Sequence, residues 1–269
     1  MRLIALVSAT FVLLVSAPSF AQGWIDFASP TDFFTVNFPG EPTVWDITYT
    51  TEYRITLPAR VYSAENGRGR YSVTVVDYTN VEGVHAKRLA DCEALSRSNS
   101  NLCDNPWVGD LEGAMDHAAW SFLQRDAVVT HYSQYRAERV EGRQMQLTNP
   151  DQSRTFVAIN MHEDRLYILE GTVPRGAPPP GLLQQSLGFL DAEGIRVRYE
   201  TTYSNRYPPP PRVQYGQGAT GVPDLSGVQM GDTRTFTDGP FAGQTWGIDG
   251  SGGPFRVEEG APTNVPGFP

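Results

Sequence analysis

Four histidines (His85, His117, His131 and His162) and two cysteines (Cys92 and Cys103) carry most of this chain's potential for proton, metal or thiol chemistry. None of the histidines stands in the His-Glu-x-x-His spacing that puts two zinc ligands and a base on one helix face. His162 lies in Met161-His162-Glu163-Asp164, which has the composition of a ligand cluster but equally that of a polar hairpin turn. His131 falls inside a strand-like run and has no partner that spacing identifies. His85 sits beside an apolar stripe, where packing or partial exposure accounts for it. Asp116, His117 and Ser121 share one helical stretch, and His117 and Ser121 are surface neighbours at i, i+4. A serine nucleophile also needs an oxyanion hole, usually at a strained turn such as Gly-x-Ser-x-Gly, and no such elbow is present. A solvated helix face explains that trio, and no catalytic residue is assigned.

The other chemical signals are equally sparse. Gly67-Arg68-Gly69 reads as a hairpin tip rather than a phosphate loop, and the glycines of 250–253 precede no helix. No cofactor and no metal site is implied. Trp107 and Trp120 are weak candidates for lining a ligand cleft, with core or rim packing as the plainer reading.

The chain opens with a layout that fixes its compartment. Arg2 provides a positive end, Leu3 to Val15 an apolar run, and Ser19-Phe20-Ala21 a small-x-small processing site, so residues 1–21 read as a signal peptide. The apolar run is shorter than the roughly 20 residues a membrane span needs. A periplasmic or secreted product without a transmembrane anchor is expected. In that oxidising setting Cys92 and Cys103 read as a disulfide. Closing so short a loop contributes about 2–3 kcal/mol in the chain-entropy picture. The whole chain carries 21 basic and 30 acidic residues, a formal charge of −9. That sign repels phosphate backbones and argues against nucleic-acid binding.

The elements that must position these residues follow from periodicity. Alternation over Phe34–Phe38, β-branched and aromatic runs in 44–53, 60–64 and 71–78, and Asn66-Gly67 between the last two, predict antiparallel strands and a hairpin. His85, Leu89, Cys92 and Leu95 recur at helical spacing, predicting a helix over about 81–97 with an apolar stripe. Asp110 can cap a second helix with Leu111, Met115, Ala118 and Phe122 inward. Strands return at 128–135, 139–147, 155–161 and 166–173, followed by a short helix over 181–190 and a last strand at 195–199. The fold class expected is α+β, an antiparallel β-sheet flanked by two or three helices. Residues 22–200 form the globular domain in this reading. Residues 201–269, with ten prolines and thirteen glycines, form a low-complexity, largely disordered C-terminal tail.

Two groups of segments carry a resemblance. Phe27-Ala28-Ser29-Pro30 followed by Phe34-Thr35-Val36-Asn37-Phe38-Pro39-Gly40-Glu41-Pro42 resembles the opening of small exported proteins with a PsbP-like or DcrB-like fold. Leu166 to Pro174 and Gln185 to Leu190 resemble the closing strand and helix of secreted proteobacterial proteins of unknown function. The resemblance spans about 24–200 and implies an antiparallel sheet flanked by helices, an assembly or binding role, and no shared catalytic residues. The function expected is thus a non-catalytic binding or accessory module of the cell envelope, with an envelope protein or a small ligand as partner. Two rivals stay open. One is a hydrolase assembled from distant residues around His131 or His162; the other is a structural protein tethered by its tail.

Overall fold

The structure is a computed structural model that describes residues 23–95, 103–213, 225, 228–229, 232–237, 241–248 and 254–257. Its centre is a seven-stranded antiparallel sheet in the order β3-β4-β5-β9-β8-β7-β6. These strands are β3 (Thr43–Thr50), β4 (Thr56–Asn66), β5 (Gly69–Asp77), β6 (Val128–Ala137), β7 (Val140–Thr148), β8 (Arg154–His162) and β9 (Arg165–Val173). A second sheet, β1-β2-β10-β11, comprises β1 (Ile25–Ser29), β2 (Phe34–Phe38), β10 (Gly188–Leu190) and β11 (Arg196–Val197). Helices α1 (Val81–Leu95) and α2 (Trp107–Leu123) complete the main elements, with a single turn of helix, α3, at Gly181–Gln184. The α+β class and the antiparallel sheet are as expected.

Strand alternation produces two cores. Phe156 and Ala158 of β8, Tyr62 and Val73 pack against Phe34, Phe38 and Phe189 of the small sheet. The intervening residues Val157, Ile159 and Met161 face α2 and meet Ala114, Met115, Ala118 and Phe122. The large sheet is therefore sandwiched between a small sheet and helices, and β8 is buried from Thr155 to His162 on both faces. Burying one such aliphatic or aromatic side chain contributes about 1.5–3 kcal/mol.

Polar groups fix how the small sheet is attached. The Ser29 hydroxyl receives the amide of Asp32 at 3.2 Å and shares a 2.8 Å hydrogen bond with Tyr62. The Tyr62 hydroxyl also donates to the Asp32 carboxylate, which pairs with Arg60 at 3.1 Å. Tyr167 donates to the backbone carbonyl of Asp32 at 2.9 Å. The aromatic-Ser-Pro turn is thus bolted to two strands of the large sheet. Elsewhere the Cys92–Cys103 disulfide ties the C-terminal part of α1 to the approach to α2, with Cα atoms 5.9 Å apart.

Several local expectations are corrected. The apolar stripe on α1 fades: only Val81 and His85 are buried, and Leu95 is 85% exposed. Beyond His85 the residues of α1 are half-buried or exposed, so the later part of the stripe joins neither core. The short helix expected over 181–190 stops after Gln184, and Gly188–Leu190 instead pair with β2. The hairpin after β4 turns on Gly67 and Arg68, one residue beyond the expected pair, and Gly67 takes the positive φ of 59°.

The expected boundary at residue 200 falls inside a bound segment. Tyr199 and Tyr203 are buried, and Tyr203 continues as a bridge to Val140. The chain then doubles back: Tyr199 bridges Arg212, and the amides of Glu200 and Val213 donate to the carbonyls of Pro211 and Arg198. The prolines of 208–211 form the bend of this strap, which suits residues with fixed φ and no amide donor. Further on, β12 (Thr233–Thr235), β13 (Thr245–Ile248) and β14 (Pro254–Val257) make a three-stranded antiparallel sheet. Most of the rest of 214–269 lies outside the described residues.

Tyr203 is 7% exposed and stacks on Tyr199 with ring centroids 4.9 Å apart. Tyr203→Ala is expected to lower unfolding free energy by about 3 kcal/mol in chemical denaturation. A loss within about 0.5 kcal/mol, the range of surface changes, would show that the strap is not packed in solution.

Candidate functional site

Each histidine has a definite environment. His85 on α1 is fully buried, and its Nε2 lies 2.9 Å from Asp110 Oδ2. Thr51 donates its hydroxyl to the same oxygen at 2.7 Å. Asp110 was expected to cap α2; instead α2 starts at Trp107 and turns this carboxylate inward. The site welds α1, α2 and the loop after β3. Its charge adds to burial in pushing the Tyr49 hydroxyl up to about 12. Burial on this scale leaves no route for a substrate to the His–Asp–Thr trio.

His162 was weighed as part of a plain turn and as a possible hydrolytic base. The turn is present, with Glu163 and Asp164 both at positive φ, but His162 itself points inward and is buried. Its ring packs at a tilt against Phe189 and Tyr203, with centroids 4.4 and 5.1 Å away, and its Nε2 shares a 2.7 Å hydrogen bond with Tyr199. Burial lowers its pKa from 6.5 to about 3, with Arg212 and Arg165 adding to the effect. A neutral, enclosed imidazole of this kind is a packing element.

The other two histidines are at the surface. His131 Nε2 lies 2.8 Å from Ser133 on the edge strand β6, and both are solvent-accessible. Among the described residues no carboxylate hydrogen-bonds this pair, so nothing orients the ring as a base. His117 lies 3.2 Å from the carbonyl of Thr50, Asp116 pairs with Arg143 and Arg206, and the Ser121 hydroxyl donates to Ala118. Those three helix neighbours therefore have three separate tasks.

The tryptophan candidates do not meet in a cleft. Trp107 begins α2, half-buried against the helix-side core, whereas Trp120 is 58% exposed. Among the described residues, open clefts lie elsewhere. One, about 450 Å³, lies between β6, β7 and the strap and includes Tyr135, Glu141 and Ser204. The second, about 390 Å³, is ringed by Arg68, Arg70 and Arg175 at one end of the large sheet. Neither includes Trp107 or Trp120.

The outer side of β3 is one edge of the large sheet. β3 pairs with β4 through eight residues in unbroken register, and among the described residues no strand pairs with its other side. Val44, Trp45 and Ile47 are exposed along it, Trp45 at 45%. Trp45, Ile47 and Tyr49 alternate onto the helix side of the sheet, since their register partners Val61, Ala59 and Leu57 lie there. α2 runs along this flank, with His117 touching Thr50 and its ring 6.1 Å from that of Tyr49. Trp120, three residues on, shares that side of the helix. The opposite edge, β6, is interrupted by a bulge between Val129 and His131, a common way of blunting an edge. β3 has no bulge, and only Asp46, paired with Arg60 at 2.8 Å, brings charge to its middle. The sequence signal for this surface was a β-branched run with Trp45, but an edge position cannot be read from one strand alone.

No family model, curated protein or solved structure matches this chain. Among the described residues no helix is long and apolar enough to cross a membrane.

Two measurements check the buried groups. Because the folded pKa of His162 is depressed, the unfolded chain binds the extra proton between pH 6.5 and about 3. Its contribution to stability is complete above pH 6.5 and is lost as pH falls, at about 1.4 kcal/mol per unit within that window. His162→Phe is expected to remove this part of the slope in denaturation at graded pH. Asp110→Ala leaves the His85 ring and Thr51 hydroxyl without their acceptor and is expected to cost about 3 kcal/mol.

Proposed function

We propose that the mature chain is an exported, non-catalytic binding or accessory module of the cell envelope that takes an extended partner segment along β3. The observation that carries this reading is the regular, unblunted edge strand with Trp45 and Ile47 exposed on one side. Strand addition would pair backbone groups of the partner with β3, and apolar residues at alternate positions of the partner would meet Trp45 and Ile47. The exposed Trp120 on the neighbouring helix flank would extend that contact. Aromatic side chains with one accessible face are frequent anchors in such interfaces.

The signal-peptide layout of residues 1–21 and the Cys92–Cys103 disulfide support a periplasmic or secreted location. The strand-and-turn motifs resembling PsbP-like or DcrB-like proteins support an accessory role in the same compartment.

The test is photocrosslinking in the native envelope from a probe placed at Val44, compared between the wild type and a Trp45→Glu/Ile47→Glu pair. Discrete partner adducts that disappear in the double variant, with an unchanged melting temperature, are expected. Adducts that persist undiminished would refute strand addition at β3.

A further inference from the structure

We infer that the cleft between the β4–β5 tip, the β7–β8 turn and the exit of β9 is a binding site for a phosphate ester carrying neighbouring hydroxyls. Three cations converge there: Arg68 at the hairpin tip, Arg70 on β5 and Arg175 just after β9. Among the described residues no carboxylate lies within ion-pair distance of any of the three. Three guanidinium groups against the one carboxylate of the lining, Asp151, leave this hollow with an excess of positive charge and repel one another, in a chain whose formal charge is −9. A bound oxyanion removes that repulsion, and the planar forks of arginine suit bidentate contacts to phosphate oxygens.

The floor of the cleft is preorganised. Arg70 is paired with Thr172, and Thr172 with Thr155, so all three lie on one face. Thr172 and Thr155 share a 2.9 Å hydrogen bond, and Asn149 donates to both Thr155 and Ser153 at 2.9 Å. Ser153 in turn gives its amide and hydroxyl to Asp151 Oδ1 at 3.0 and 2.6 Å. Those bonds hold the Asp151 carboxyl below its usual range, so it stays ionised beside the arginines. Asp151 is the reason the ligand is more than a bare anion. Its Oδ2 takes no part in the turn and can accept from a ligand hydroxyl, while the guanidinium groups take the phosphate. The cleft, about 390 Å³, is at the small end of ligand-binding cavities and suits a molecule of metabolite size or a lipid headgroup.

The experiment uses the mature chain with its disulfide intact. Calorimetric titration with glucose 6-phosphate is compared with titration by glucose, by inorganic phosphate and by phosphatidylglycerol vesicles. The expected result is saturable, salt-sensitive binding of glucose 6-phosphate or of the vesicles, tighter than inorganic phosphate and without response to glucose. Which of the two binds identifies a soluble ester or a headgroup as the source. An Arg70→Gln/Arg175→Gln variant is expected to bind at least about tenfold more weakly, the loss of one good charged contact or more. Arg54→Gln, outside the cleft, is expected to bind as the wild type does. Absence of saturable binding to every probe at millimolar concentration would overturn the inference, as would undiminished binding by the double variant. Neither outcome bears on strand addition at β3, which lies on a different edge.

Discussion

The constraint on which the rest of this structure depends is the burial of β8 on both faces. A strand enclosed from Thr155 to His162 can satisfy its amides and carbonyls only through β7 and β9, and it needs apolar cover above and below. The two layers differ in kind because the two faces offer different shapes. Methionine and small aliphatic side chains face α2, whose alanines at 114, 118 and 119 let the helix approach closely. Aromatic rings dominate the other face, where a two-stranded hairpin and the β10 segment bring Phe34 and Phe189 into edge-on contacts with Tyr62 and Tyr167.

Polar groups then decide where each layer sits. Ser29 and Asp32 fix the small sheet through hydroxyls of strands β4 and β9, and Asp110 fixes both helices through His85 and Thr51. These clusters place charge and hydroxyls in dry surroundings, where a matched partner rigidifies and a missing one is costly. In the second of these clusters His85 and Asp110 serve to join two helices and a loop.

Much of this was legible in the sequence. Strands β3 to β9 came from alternation and β-branched content, α2 from its 3.6-residue stripe, and the disulfide from compartment and parity. What was not legible has a common physical cause: it depends on a neighbour distant in the chain. The stripe on α1 is genuine but its later part joins neither core. Gly188–Leu190 prefer a helix locally, yet β2 offers them a ladder. The part of the strap beyond residue 200 reads as low complexity because of its run of four prolines, although Tyr199 and Tyr203 pack it beside His162. Its grip extends to the tight turn at Glu138 and Arg139, both at positive φ, whose side chains reach Arg196, Arg198 and the carbonyls of Tyr199 and Glu200. The arginine cleft was hidden for the same reason, since Arg68 and Arg175 are more than a hundred positions apart.

The Cys92–Cys103 bond has a meaning beyond the folding equilibrium. It joins the C-terminal part of α1 to the residues just before α2, so the chain between the two cysteines is closed into a covalent loop. A single cut between the two cysteines would leave both fragments covalently joined, each still holding its own strands of the shared sheet. Nicked molecules would therefore persist as intact assemblies of the same mass on a non-reducing gel, and damage at that connection would not release half of the domain.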